Sequence, residues 1–329
     1  MSESENEDLT ENDLQEPSET DISGTRDQDP TENLCVACDI LLKISTVPDV
    51  RRHPNWNLLD HEECGISLAD RIIGGSNATM GQYPWLARIG YIDKNTYSHP
   101  IYKCGGSLIN KFYVVTAAHC VVKIPDNSVI SVIRLGEHNS LTDIDCDGQF
   151  CAAPVQDFKP VSLILHKYYG KPAYKNDIAL IRLNRQAIFN GWVQPICLPL
   201  GNQLIKDYRG SIAEVAGWGV YSMNPPRSSP TLRYVRLPIV DREICVSFFK
   251  KYADIGPTQL CVGGVIGEDS CGGDSGGPLV KVETQNGIPR YYIIGIVSFG
   301  ARRCGATEMP GIYTRVASYI LWILNNISD

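Results

Sequence analysis

A chain of 329 residues with 43% hydrophobic and 20% charged residues can hold one large domain with an extension, or two modest ones. No run of about 18 apolar residues occurs, which excludes a membrane-spanning helix, and no Lys/Arg-rich run points to nucleic acid. The formal charge of −7 is uneven: residues 1–34 carry twelve Asp or Glu against Arg26 alone, leaving the remainder mildly basic.

The first 34 residues combine dense negative charge with few aromatic or branched apolar side chains, the composition of a disordered acidic tail. They have neither a basic start nor an apolar core, so they do not read as a signal peptide. Twelve cysteines nevertheless argue for disulfides and an oxidising, extracellular compartment. Two sequons, Asn77-Ala78-Thr79 and Asn326-Ile327-Ser328, are compatible with secretion. Secretion then implies that Met1 is not the true start, or that a leader lies outside this sequence. Residues 35–71 contain Cys35, Cys38 and Cys64 but one short apolar run, Ile40-Leu41-Leu42, too little for an independent core.

From Ile72 the texture changes to short runs rich in Val, Ile and Tyr, broken by Gly, Pro, Asn and Asp. Residues 85–90, 112–116, 232–237 and 291–297 read as strands at short intervals, so 72–329 is expected to be an all-β domain, a sandwich or barrel. In 313–327 the spacing of Val316, Tyr319, Ile320, Ile323, Leu324 and Ile327 is that of one helix face, predicting a C-terminal α-helix.

Three stretches carry chemistry. Ser275 lies in Gly272-Gly273-Asp274-Ser275-Gly276-Gly277-Pro278, where glycines permit a tight turn and close approach of N–H groups to a substrate. His119 lies in Thr116-Ala117-Ala118-His119-Cys120, just after an apolar strand. Asp177 opens the apolar run Ile178–Leu183, where a carboxylate is costly unless it has a partner. A serine hydroxyl needs a base to become a nucleophile, imidazole is suited to that task near neutrality, and a buried carboxylate orients the imidazole. Each residue alone is commonplace; the three together, in the order His, Asp, Ser and each in such a context, are specific.

The motifs TAAHC, DIAL, GWG (217–219), GDSGGP, Val297-Ser298-Phe299-Gly300 and Pro310-Gly311-Ile312-Tyr313-Thr314 together resemble the trypsin/chymotrypsin-like serine proteases, from Ile72 to the C-terminus. The resemblance implies two packed six-stranded antiparallel β-barrels with the site between them. It implies a catalytic triad of His119, Asp177 and Ser275, an oxyanion hole from the N–H groups of Gly273 and Ser275, and support of Asp177 by Ser298. Asp269 matches the floor of the primary specificity pocket and Gly300 and Gly311 its walls, so cleavage after Arg or Lys is expected. Asp70-Arg71-Ile72-Ile73-Gly74-Gly75 resembles the family's activation site, making the chain a zymogen with 35–71 as its pro-segment. Cleavage after Arg71 would free an Ile72 ammonium to pair with Asp274. The implied partners are a protein substrate, an upstream activating protease and a serpin-type inhibitor.

The resemblance also implies the pairs Cys104–Cys120, Cys245–Cys261 and Cys271–Cys304. It matches Cys197 to the position that holds the pro-segment, with Cys64 as its mate, while Cys146 and Cys151 are near enough in sequence to close a small loop. That loop resembles insect clip-domain proteases of the prophenoloxidase-activating, Easter-like and venom types. Their clip module normally has six cysteines; here Cys35 and Cys38 alone remain for it, and Val50-Arg51-Arg52-His53-Pro54 stands where V-C-C-P would end it. The clip region therefore reads as truncated or degenerate. Cys35, Cys38, His61 and Cys64 have an alternative reading as a zinc site. No cofactor is required, but Glu137, Asn139, Thr142 and Asp145 could supply oxygens to a structural Ca²⁺. The rival to an active enzyme is a non-catalytic protease homologue acting as a binding cofactor, a kind that usually loses the serine.

Overall fold

The computed structural model describes residues 49–68, 77–96, 99–285, 287–301 and 304–329. The acidic tail, Cys35, Cys38 and the stretch Asp70–Gly75 lie outside the described residues.

The first half of the described domain contains β1 (Leu86–Asp93), β2 (Ile101–Leu108), β3 (Tyr113–Thr116), α1 (Ala118–Val122), β4 (Ser128–Leu135), the short hairpin β5 (Cys146–Asp147) and β6 (Phe150–Cys151), β7 (Gln156–Phe158), β8 (Pro160–Leu165) and β9 (Ala179–Leu183). The second contains β10 (Ile212–Gly217), β11 (Val220–Met223), β12 (Pro226–Ser228), β13 (Arg233–Val240), α2 (Arg242–Phe249), β14 (Gln259–Gly263), β15 (Pro278–Gln285), β16 (Ile288–Phe299), β17 (Pro310–Arg315) and α3 (Ile320–Asn326). The four sequence-predicted strands coincide with β1, β3, β13 and β16, three of them starting one residue early.

The second half forms a closed six-stranded antiparallel barrel, β10-β13-β14-β17-β16-β15. The first half differs from the expected six-stranded barrel: it is a seven-stranded sheet in the order β7-β4-β1-β2-β3-β9-β8. The reason is a corner. β7 and β8 form the two edges of this sheet, yet only Lys159 separates them in the chain. The sheet therefore curls until its edges meet, and Pro160, which has no N–H to give a ladder, sits at the bend. Closure runs through the covalent chain instead of through hydrogen bonds. The fold is thus all-β, a closed barrel beside a curled one, as the strand pattern and the resemblance together imply.

Each half has its own apolar core. Ile89, Leu108, Val114, Ile133, Phe158 and Ile181 fill the first, and Val215, Leu237, Val262, Leu279, Ile294 and Tyr313 the second. A third cluster joins the halves. It includes Trp85, Val115, Leu180, Ile293 and Ile296, together with Val316, Tyr319, Ile320, Ile323, Leu324 and Ile327. Those six are the predicted helix face, and all are buried. The helix itself is shorter than predicted. Tyr313 pairs with Val297 in the barrel, residues 316–319 form a 3₁₀ turn, and α3 begins only at Ile320.

Residues 49–68 run along the domain. Asn55 Nδ2 donates to the carbonyls of Leu324 and Ile327, 2.9 Å each, capping the end of α3. Val50 is buried, whereas Arg51 and Arg52 are exposed beside Asp49. Five disulfides form among the described residues: Cys64–Cys197, Cys104–Cys120, Cys146–Cys151, Cys245–Cys261 and Cys271–Cys304. Every implied pair is present. The Cys64–Cys197 bond overturns the zinc alternative, since Cys64 has no free thiolate and His61 stacks on Trp56 at 3.9 Å.

Candidate active site

The register of β3 and β9 brings two of the three residues together. Thr116, at the end of β3, faces Ala179, at the start of β9. The chain leaving β3 turns at once into α1, which carries His119, while Asp177 sits two residues before Ala179. Asn176 holds the turn with a left-handed backbone, φ 56°, which asparagine tolerates better than most residues. The Cys104–Cys120 bond ties α1 back to β2.

Asp177 is 4% exposed and its charge is well satisfied. One carboxylate oxygen accepts the backbone N–H of His119 at 2.9 Å. The other lies 2.8 Å from His119 Nδ1 and accepts the Ser298 hydroxyl at 2.5 Å. The Thr314 hydroxyl donates to the Asp177 carbonyl at 2.8 Å. Ser298 is on β16 and Thr314 on β17, so the second barrel grips the carboxylate that the first supplies. A carboxylate at Nδ1 fixes the proton there and leaves Nε2 as the base. Thr314 had not been singled out from the sequence. Its signal was a hydroxyl residue inside the buried strand β17.

Ser275 comes from the second barrel's turn before β15. Its carbonyl accepts the N–H of Gly105 at 2.8 Å. Gly276 has φ 77°, and a Cβ there would strike Thr116 Oγ1 and the Gly105 carbonyl. A glycine after the serine is therefore what lets this turn press against the segment bearing His119. Among the described residues Ser275 Oγ makes no hydrogen bond to His119. In substrate-free sites such bonds are often long and tighten in the substrate complex. The N–H groups of Asp274, Gly276 and Gly277 are used inside the protein. Those of Gly273 and Ser275 donate to no protein acceptor among the described residues, leaving two donors open beside the hydroxyl.

Ser275 lines a cavity of about 170 Å³ together with Asp269, Ser298, Gly300, Gly311 and the Cys271–Cys304 disulfide. A Cβ on Gly300 would lie 3.4 Å from the Cα of Gly311, so the two glycines face each other and any side chain would narrow the space. Asp269 is half-buried. Burial raises its carboxyl above the usual range, only partly offset by the N–H groups of Gly305 and Ser270. A carboxylate held this way favours a cation.

Asp274, next to Ser275 in the chain, is held by the GWG segment. Its two oxygens accept the N–H groups of Gly219, at 2.8 Å, and Cys271, at 3.0 Å. A Cβ on Gly217 or Gly219 would collide with this carboxylate, which explains the glycines of the GWG motif. Desolvation pushes the Asp274 carboxyl up to about 6. It has no ion-pair partner among the described residues, yet it lines a cavity of about 570 Å³. Arg71 and Ile72 lie outside the described residues.

In the calcium set, Glu137 Oε2 faces Arg134 at 3.3 Å and Arg88 at 3.6 Å, while its Oε1 is buried with no hydrogen-bond partner among the described residues. Asp145 accepts the N–H groups of His138 and Asn139 and the hydroxyl of Thr142, so Asn139, Thr142 and Asp145 form one closed turn.

The Trypsin family model matches residues 72–323. The chain is 39% identical over 284 residues to the CLIP domain-containing serine protease HP8 of Bombyx mori, spanning 84% of this chain and 75% of that protein. It is 38% identical over 302 residues to phenoloxidase-activating factor 3 of Holotrichia diomphalia, spanning 90% and 80%. The crystal structure of the Drosophila Grass clip serine protease of the Toll pathway matches with a TM-score of 0.71 and 34% identity, over 82% of this chain and 76% of that one. With the site geometry and these matches in hand, the chain belongs to the trypsin family and is a relative of the clip-domain serine proteases.

Proposed function

We propose that this chain is the precursor of a secreted serine endopeptidase that cuts after Arg or Lys and becomes active once the Arg71–Ile72 bond is cleaved. The observation that carries this reading is the shared cavity of Ser275 and Asp269, which abuts the His119–Asp177–Ser298 network. His119 Nε2 takes the Ser275 proton as Oγ attacks the scissile carbonyl, and the N–H groups of Gly273 and Ser275 receive the oxyanion. The imidazolium, stabilised by Asp177, returns the proton to the leaving amine. Water then hydrolyses the acyl-enzyme by the same route. Asp269 pairs with the substrate's guanidinium or ammonium group and fixes the bond to be cut.

Activation follows from Asp274. The new Ile72 ammonium supplies the cation that this carboxylate lacks. An activator with Arg specificity acts upstream, a protein substrate downstream, and a serpin-type inhibitor limits the product. The relatives named for phenoloxidase activation and the Toll pathway support a place in an extracellular proteolytic cascade. The retained Ser275, His119 and Asp177 count against a purely non-catalytic cofactor.

The test is to cleave the secreted protein at Arg71 and assay peptides ending in Arg, Lys or Phe. Turnover is expected for Arg and Lys. Folded, correctly cut protein with no turnover would identify a non-catalytic homologue. In the same assay Asp269→Ser should cost about 10³-fold in kcat/KM for the arginyl substrate, matching the ~4 kcal/mol lost when a buried ion pair is broken. The phenylalanyl substrate should change far less. An equal loss for both would show that Asp269 is structural.

The pH dependence has a definite sign. In the uncut chain the Asp274 carboxyl is raised from 3.8 to about 6, so stability from this group is greatest at low pH and is lost as pH rises towards about 6. Pairing with the Ile72 ammonium lowers the same carboxyl and reverses the trend. Cleavage should therefore raise Tm more at pH 7.5 than at pH 5. Thermal melts of cut and uncut protein check this, and an identical difference at both pH values would rule out the Ile72–Asp274 pair.

A further inference from the structure

The two sequons, 77–79 and 326–328, meet opposite surroundings in the fold. Asn77 is exposed and lies outside the named strands. Its backbone is anchored: Asn77 bridges to Arg233 at the start of β13, and the Ala78 N–H donates to the Leu232 carbonyl at 3.0 Å. Ala78 is buried and pins the segment to the domain. The Asn77 side-chain amide makes no hydrogen bond among the described residues. The Thr79 hydroxyl makes one contact, 3.3 Å from Gln82 Oε1. Asn77 lines none of the cavities that hold Ser275, Asp269 or Asp274.

In the second sequon every residue is engaged. Asn326 ends α3, is half-buried, and donates from Nδ2 to the Trp322 carbonyl at 2.7 Å. Ile327 is buried in the cluster that joins the halves. Its N–H donates to the Ile323 carbonyl and its carbonyl accepts from Asn55 Nδ2. The Ser328 hydroxyl and carbonyl accept from Arg182 Nη1 at 3.0 and 2.8 Å, and its N–H donates to the Tyr113 hydroxyl at 3.2 Å.

A branched oligosaccharide is bulky and strongly hydrated, so it has to remain in water. On Asn77 it replaces one hydrogen of an unused amide and displaces nothing. On Asn326 it would lift a half-buried side chain away from α3 and pull on Ile327, whose burial the helix end depends on. We propose that Asn77 carries an N-linked glycan and that Asn326 does not. The inference rests on the secretory route in the proposed function, where the donor is an oligosaccharide linked to a lipid pyrophosphate. The Asn77 amide nitrogen bonds to the anomeric carbon of the sugar and gives up one proton. The bond from that carbon to the pyrophosphate oxygen breaks, and the lipid pyrophosphate leaves with the electron pair. Transfer precedes folding, so the fold acts as a filter afterwards. Chains modified at Asn77 pack as described, whereas chains modified at Asn326 cannot complete α3 and are missing from the folded, secreted pool. Asn77 is six positions after Arg71, which places the glycan close in the chain to the activation bond and outside the substrate cavity.

The experiment is to secrete the full chain from insect cells behind a cleavable leader. Peptides spanning each sequon are then read by mass spectrometry, before and after enzymatic removal of N-glycans in heavy-oxygen water. The Asn77 peptide is expected to be glycosylated in most molecules and to return as labelled aspartate, and the Asn326 peptide to be unmodified. Asn77→Gln and Thr79→Ala should each remove the glycan, and Ser328→Ala should leave it in place. If Thr79→Ala does not fold, Asn77→Gln decides, because Asn77 is exposed. The proposal is overturned if the Asn77 peptide is unmodified in most secreted molecules, or if Asn326 is glycosylated to the same extent. Cleavage at Arg71 and the arginyl-peptide assay on the same preparation keep the two readings apart. Active protein without the glycan overturns this inference alone, and glycosylated protein without turnover overturns the protease reading alone.

Discussion

In the Arg71-cleaved protein, Ser275→Ala should lower kcat towards an arginyl peptide by about 10⁶-fold, the scale seen when such a nucleophile is removed from a complete triad. The change should leave Tm nearly untouched. Ser275 Oγ holds no hydrogen bond to His119, its carbonyl bond to Gly105 is a backbone contact that alanine keeps, and loss of one half-exposed hydroxyl is worth about 0.5 kcal/mol or less. Activity and stability are thus expected to separate completely. Single-turnover assays beside thermal melts check this. A variant that keeps more than a thousandth of the parent activity would show that hydrolysis comes from another group or a contaminant.

Asp177→Asn should cost about 10⁴-fold in kcat, and here stability should fall as well. The asparagine amide would present N–H donors where His119 Nδ1 and the Ser298 hydroxyl now donate to one carboxylate oxygen. The imidazole would be driven to the wrong tautomer, with its proton on Nε2, where it cannot accept from Ser275. The buried Ser298 hydroxyl would lose its acceptor, an added cost of roughly 1–3 kcal/mol. Kinetics with proton NMR of the histidine ring measure both effects. A normal kcat with the Nε2–H tautomer would separate Asp177 from the chemistry.

These two predictions rest on features of different legibility. The Ser275 turn could be read directly because its backbone requirement is local: Gly276 takes a positive φ, 77°, which glycine adopts without strain, while the Thr116 and Gly105 atoms that also exclude a Cβ come from the first barrel. Asp177 could be suspected because a carboxylate entering an apolar strand needs partners. The partners were a different matter. His119 is brought to it by the β3–β9 register, and Ser298 and Thr314 by the approach of the second barrel. Both lie in family motifs, but a hydroxyl in a buried strand says only that it needs an acceptor, and the partner of Thr314, the Asp177 carbonyl, is 137 positions away in the chain.

The departures have the same origin. Helical spacing runs through residues 313–327, but Tyr313 finds a strand partner in Val297, ladder pairing holds as far as Arg315, and a 3₁₀ turn at 316–319 leads into α3 at Ile320. The curled first barrel has seven strands because Pro160 breaks at a corner what would otherwise be one strand. Glu137 meets Arg88, far away in the chain, because the β1–β4 pairing sets the two side by side.

The sequence by itself determined the strand-rich texture, the residues able to act as nucleophile, base and orienting carboxylate, and the glycines that the Ser275 turn demands. All of these are set by side-chain chemistry and backbone freedom over a few residues. Only the tertiary structure decided which carboxylate meets a hydroxyl, which meets a guanidinium and which, like Asp274, is left facing an open cavity. The cost of burying a charge depends on what the fold brings within about 4 Å of it, and that distance is not written in neighbouring positions of the chain.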